Sequence, residues 1–173
     1  MIDLDYRKLL LSAAFHAMTC DGEVDQDELD SIQSLSQRSK IFGKLDVNVE
    51  LEHLSNALQQ STRDSFRNFF SEVQSANLDL SEQMQVVEVV IRVVYADGKI
   101  DENEIMYLKK IISILGILPE LLEQRFGSIR KLLGLAEERT FSASSQKIEF
   151  SVPEVQNLES IKIKEFRQDN MSK

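Results

Sequence analysis

Ala17-Met-Thr-Cys-Asp-Gly-Glu-Val-Asp-Gln-Asp-Glu28 and Val93-Val-Tyr-Ala-Asp-Gly-Lys-Ile-Asp-Glu-Asn-Glu104 are two copies of one twelve-residue pattern, set 76 residues apart with no gap. Asp21, Gly22, Asp25 and Glu28 recur as Asp97, Gly98, Asp101 and Glu104. Apolar positions recur with them: Phe15 with Ile91, Val24 with Ile100, Leu29 with Ile105, Ile32 with Leu108, Leu35 with Ile111. A repeat of this length predicts two structurally equivalent units. It also puts one acidic corner into the fold twice, and two such corners could converge on a cation.

Outward from the two corners, apolar residues recur at steps of three and four, the helical period. Leu9, Leu10, Ala13, Ala14 and Ala17 form a face over 4–19, and Leu29, Ile32 and Leu35 form one over 26–39. Val47, Leu51, Leu54 and Leu58 predict a helix over 47–59. Phe66, Phe69, Phe70 and Val73 predict one over 62–75, capped by Ser61 or Thr62. Residues 81–96 are β-branched enough for a buried strand. Their repeat partner, Leu10 to Met18, is rich in Leu and Ala, which favours helix for both. A helix apolar all round is a buried one, so 81–96 is expected at the centre, capped at Ser81. Helices over 102–115 and from Pro119 to about Leu133 complete the set, ended by Gly116 and Gly134.

Beyond Gly134 the composition turns to Ser, Gln, Lys and Glu. The tail, 135–173, is expected to be mobile or to bind a partner. Weak alternation at Lys147–Val152 and Ile161–Phe166 would suit two short strands, or linear motifs that join a partner's sheet edge.

The chain of 173 residues has a net charge of -9, which repels phosphates and argues against nucleic acid and anionic membrane. A single cysteine, Cys20, excludes a disulfide within the chain. The start, MIDLDYRKLLLSAAF, lacks a basic signal-peptide region, and no apolar run approaches the roughly 20 residues of a membrane span. A cytoplasmic soluble protein with no membrane insertion is the expectation.

Three readings compete for the acidic corners. In the first, Asp25 and Asp101 are helix N-caps, and Glu28 and Glu104 close capping boxes. Gly22 and Gly98 then end the preceding helices, while Val24 and Ile100 staple the corners to the core. In the second, the spacing from Asp21 to Glu28 matches the latter half of an EF-hand loop. Ala17 and Thr19, or Val93 and Tyr95, then stand where oxygen donors are required, which disfavours an ordinary EF-hand. In the third, Asp21, Asp25 and Glu28 face Asp97, Asp101 and Glu104. Six carboxylates at close range need a divalent ion or protons to neutralise them, and oxygen donors favour Ca, Mg or Mn.

The segments CDGEVDQDEL and ADGKIDENEI, each between helices, resemble the TerB-like family of tellurite-resistance proteins. The resemblance covers roughly residues 5–134. It implies an all-α, TerB-like bundle of about seven helices from two pseudo-repeated halves, here followed by a C-terminal extension. It also implies a divalent-cation role for Asp21, Asp25, Glu28, Asp97, Asp101 and Glu104, and membership of stress-response systems that include phage defence. Lys99 departs from Glu23 of the first copy and places a cation beside the second corner.

Other residues invite sharper readings. His16 and Cys20, four apart beside Asp21, would suit a soft metal, although burial in the core accounts for them as well. Phe66, Phe69 and Phe70 read as core, and Arg38, Arg63 and Arg67 as a solvated face. Gly-x-Gly and Gly-x-Ser-x-Gly are absent. The expected function is a non-enzymatic adaptor or sensor of a cytoplasmic stress-response or phage-defence complex, whose paired corner could hold a divalent cation. Its partners would be other proteins of that system, engaged through the 135–173 tail. The alternatives are a structural interaction subunit with the acids as caps, and a metal-dependent hydrolase using the paired carboxylates.

Overall fold

The computed structural model describes residues 4–38, 41–127, 129, 133, 150, 151 and 153–155. Its elements are α1 (Leu4–Met18), α2 (Gln26–Arg38), α3 (Val47–Gln60), α4 (Thr62–Ser75), α5 (Leu80–Val94), α6 (Glu102–Leu115) and α7 (Pro119–Phe126). The fold is all-α, with no strand among the described residues. Moving α1 along the chain by the repeat offset of 76 gives 80–94, the span of α5; α2 likewise falls on α6.

The two repeats exchange partners. α1 packs most extensively on α5, α2 packs on α5, and α6 packs on α1. Equivalent residues therefore meet. Tyr6 donates its hydroxyl to the carbonyl of Glu82, its own counterpart, at 3.0 Å. Residues related by a repeat touch one another only near the pseudo-twofold that relates the halves, so this contact marks one point on that axis.

The centre of the bundle is α1 rather than α5. Every residue from Leu9 to Met18 is buried, Ser12 and His16 included. α5 buries six valines, but Glu88 and Arg92 lie on an outer face and pair at 2.8 Å. The reason lies in the intervening helices. α3 and α4 both pack on α1 and cover the side that α5 leaves open.

The helix starts follow from their caps. Ser61 caps α4, its hydroxyl accepting from Asp64 N at 3.2 Å. α5 begins one residue earlier than expected, because Asp79, not Ser81, is the cap. Asp79 and Glu82 form a reciprocal capping box at 2.9 and 3.0 Å. α7 is shorter than expected and stops at Gly127, whose φ of +62° breaks the helix. The turn resumes beyond it, with Leu133 N donating to the Ile129 carbonyl at 2.9 Å.

Phe66 and Phe69 are core residues, joined by Phe70 and Tyr107 in one aromatic cluster. Arg63 and Arg67 are exposed, and Arg67 pairs with Asp64. The side chain of Arg38 lies outside the described residues. So does the second alternating run of the tail, 161–166. In the first run, Phe150 and Ser151 are in no strand, since an all-helical domain offers them no edge. No described helix is long and apolar enough to cross a membrane.

Candidate functional site

Each acidic corner is built by the turn that follows a core helix. α1 ends at Met18 and α5 at Val94, four residues before Gly22 and Gly98. The glycines thus close a separate turn rather than cap the helix. Gly22 N donates to the Thr19 carbonyl at 3.2 Å, and Gly98 N to the Tyr95 carbonyl at 3.1 Å. Their φ values of +90° and +76° are ones that L side chains adopt only under strain. Asp21 and Asp97 brace these turns alike, accepting from Glu23 N at 2.9 Å and Lys99 N at 2.8 Å. Val24 and Ile100 then pack on the core.

The second corner carries the full capping box. Glu104 N donates to Asp101 Oδ1 at 2.9 Å, and Asp101 N donates to Glu104 Oε2 at 2.7 Å. In the first corner Asp25 Oδ1 instead accepts from Asp27 N at 2.7 Å, and Asp25 N donates to Glu28 Oε2 at a looser 3.3 Å.

Glu28 and Glu104 are only 7 and 8 % exposed, and they lie close enough to shift one another's titration. They are repeat equivalents, so they mark a second point on the pseudo-twofold. Two carboxyl groups buried side by side repel when both are charged, so each is held above the usual carboxylate range. Burial, then the Glu104 charge, pushes Glu28 up to about 9. Burial, with the charges of Asp101 and Asp21, raises Glu104 as well, against the bond from Asp101 N. Asp21 is raised too, by burial and the nearby Asp101, against the bond from Glu23 N.

Four of the six expected acids are thus brought into one electrostatic cluster: Asp21, Glu28, Asp101 and Glu104. Asp25 and Asp97 spend their hydrogen bonds inside their own corners. The donors are the hard oxygens that calcium, magnesium or manganese would take. Each of the six also has an oxygen on a backbone N–H of its own corner. Among the described residues no three His, Cys, Asp or Glu groups are placed to hold a metal ion. An ion would require the carboxylates to turn away from their backbone partners.

His16 and Cys20 do not form a soft-metal site. His16 Nδ1–H donates to the Ser12 carbonyl at 2.8 Å, which leaves Nε2 to accept from the Ser65 hydroxyl at 3.0 Å. Its ring stacks on Phe69 at 4.6 Å. Burial, outweighing those bonds, lowers it to about 4, so the imidazole is neutral. Cys20 is fully buried, and burial plus the charges of Glu104, Asp21, Glu28 and Asp101 keep the thiol protonated. A thiol without thiolate character is unreactive.

Sequence reasoning missed two tethers to the site. Tyr107 donates its hydroxyl to the Ala13 carbonyl at 2.9 Å, tying α6 to α1. Phe150 packs against Phe66, Phe70 and Tyr107, and Gly22 lies under Pro153 and Glu154. The alternating run around Phe150 was the available signal, but nothing in it indicates an intramolecular contact.

Two helix–corner–helix repeats, locked face to face through a buried carboxyl pair, define an all-helical domain with a duplicated acidic core. The chain belongs to the TerB family: residues 7–125 match the family described as Tellurite resistance protein TerB. No curated protein and no solved structure matches it.

Proposed function

We propose that the chain is a non-enzymatic adaptor or sensor in a cytoplasmic stress-response or phage-defence complex, with the Glu28–Glu104 pair as its responsive element. The observation that carries this reading is that the two glutamates, one from each repeat, are buried together, where two charges repel. A shared proton would neutralise the pair; a divalent cation would have to replace it and turn the carboxylates. Either ligand would favour one packing of the halves by linkage. The closed corner, with its acids capping helices, supports a non-enzymatic role, since a hydrolase needs an open cleft for substrate and water. Its partners are proposed to be other proteins of the same system.

Thermal melts of the metal-stripped chain with calcium, magnesium or manganese test this reading. At a hundred times its dissociation constant an ion bound to the native state adds about 2.7 kcal/mol, a rise of several degrees. The expected rise grows with pH as the proton leaves, and is lost in Glu28→Gln/Glu104→Gln. Melts unmoved by every ion at pH 6 through 9 would end the cation part and favour a structural subunit.

A further inference from the structure

The segment around Phe150 lies outside the matched family region, yet it sits on the domain. Phe150 places its ring 5.7 Å from Phe66, 5.9 Å from Phe70 and 5.9 Å from Tyr107, centroid to centroid. These are ordinary aromatic contact distances. Five residues on, Val155 also packs against the core. Between them Pro153 and the Glu154 carbonyl approach Gly22 so closely that an added Cβ would stand 3.1 and 3.3 Å away. The contact therefore runs from the aromatic cluster on α4 and α6 to the first acidic corner.

Its chemistry is that of a bound peptide. Residues 150, 151 and 153–155 form neither helix nor strand. An aromatic anchor and a β-branched anchor are half-buried, while Ser151, Pro153 and Glu154 face solvent. Proline between anchors restricts the unbound chain and lowers the entropy cost of docking. Gly22, lacking a side chain, lets the segment approach the corner.

We propose that the groove formed by Phe66, Phe70, Tyr107 and Gly22 is a docking site for an extended peptide, and that residues 150–155 are its resident occupant in cis. The partner it fits is a protein segment with an aromatic residue, a proline three positions later and an aliphatic residue two beyond that. Such a segment must displace the chain's own copy, so the site is self-inhibited. The inference rests on the adaptor reading only for the existence of a partner; the contact itself is tested with the chain's own sequence.

The sixteen residues between Leu133 and Phe150 tether the occupant, and a short tether gives an effective concentration on the order of 1 mM. For a local dissociation constant of about 10 µM, tethered occupancy weakens a competing peptide about 100-fold. The experiment is fluorescence anisotropy with a labelled peptide of the sequence of residues 145–157, added to the full chain. The peptide is expected to bind Phe150→Ala/Val155→Ala and to bind the unmodified chain about 100-fold more weakly. A peptide with alanine at the Phe150 position should bind neither. Should the double variant melt too low, Val155→Ala alone serves, with a smaller difference. Absence of binding to a folded variant, equal binding to variant and unmodified chain, or binding by the alanine peptide would each overturn the groove. None of these outcomes alters the ion response of the Glu28–Glu104 pair, so the two readings fail separately.

Discussion

α1 and α5 are copies of one helix placed in different surroundings. His16 corresponds to Arg92, Ser12 to Glu88 and Thr19 to Tyr95. His16, Ser12 and Thr19 are buried. Arg92 and Glu88 make an ion pair on the outer face, and Tyr95 is exposed. The apolar frame and the corner at the helix end are shared; the polar positions are not. What separates them is the α3–α4 hairpin, which covers α1 and has no equivalent over α5 among the described residues. The repeat thus encodes the pair of corners, and the inserted helices decide which copy becomes the core.

Exchanging the differing residues should break this comparison most severely. His16→Arg would force a cation among Phe66, Phe69 and Phe15, with Ser65 as its polar neighbour. An unpaired buried charge costs about 3–5 kcal/mol, a large fraction of the stability of an ordinary domain. Arg92→His loses only a surface pair to Glu88, at less than about 1 kcal/mol. Urea denaturation of the two variants measures both. Comparable losses would mean that α1 is not the more buried copy.

The buried titratable groups of the two regions oppose each other with pH. His16 falls to about 4 in the fold from 6.5. The unfolded chain then binds more protons between these values, so stability is full above about 6.5 and is lost as pH falls to 4. A difference of that size amounts to about 3 kcal/mol. The glutamate pair runs the other way. Both carboxyls are raised from 4.5, to about 9 and about 7. The folded state binds more protons, so their contribution is full below about 4.5 and is lost as pH rises towards 9. Asp21, Asp101 and Cys20 face the pair, and the two acids add to the repulsion. Above pH 6.5 His16 no longer contributes, and stability should decline by a few kcal/mol towards pH 9, the raised Cys20 thiol adding to the loss only at the alkaline end. Glu28→Gln/Glu104→Gln should flatten that decline and leave the acid limb in place. A decline of unchanged slope in the variant would show that the pair is ionised at neutral pH.

Much of this was legible because it is periodic or local. Helical spacing located α1 to α4, the repeat settled α5, Pro119 marked the start of α7, and Asp101 with Glu104 announced a capping box that the structure forms. The duplication predicted that two corners would meet, and Glu28 and Glu104 do. What the sequence left open depends on packing between distant segments. Seven β-branched residues in α5 suggested a central helix, but burial also requires neighbours on every side, and those come from α3 and α4. Asp21 and Asp97, and Asp25 and Asp101, share the 76-residue spacing of Glu28 and Glu104. Only the folded geometry brings the glutamate pair together. Phe150 lies beyond the repeat and has no periodic partner to reveal what it touches.

The two corner glycines offer the finest comparison. Gly22 and Gly98 both hold positive φ, and an alanine at either position costs about 1–2 kcal/mol for the backbone alone. Their surroundings differ, because a Cβ at Gly98 meets nothing within 4 Å while one at Gly22 meets Pro153 and Glu154. Gly22→Ala should therefore cost more than Gly98→Ala, by about 1 kcal/mol if the neighbours cannot yield. Repeating both substitutions in Phe150→Ala sharpens the point. A loosened segment can move off the corner, so the excess at Gly22 should shrink while the cost at Gly98 stays the same. Such a difference is a coupling between Gly22 and Phe150, which a double-mutant cycle reads directly. Coupling near zero would mean that residues 150–155 do not bear on the first corner in solution, and the asymmetry between the corners would then rest on their capping boxes alone.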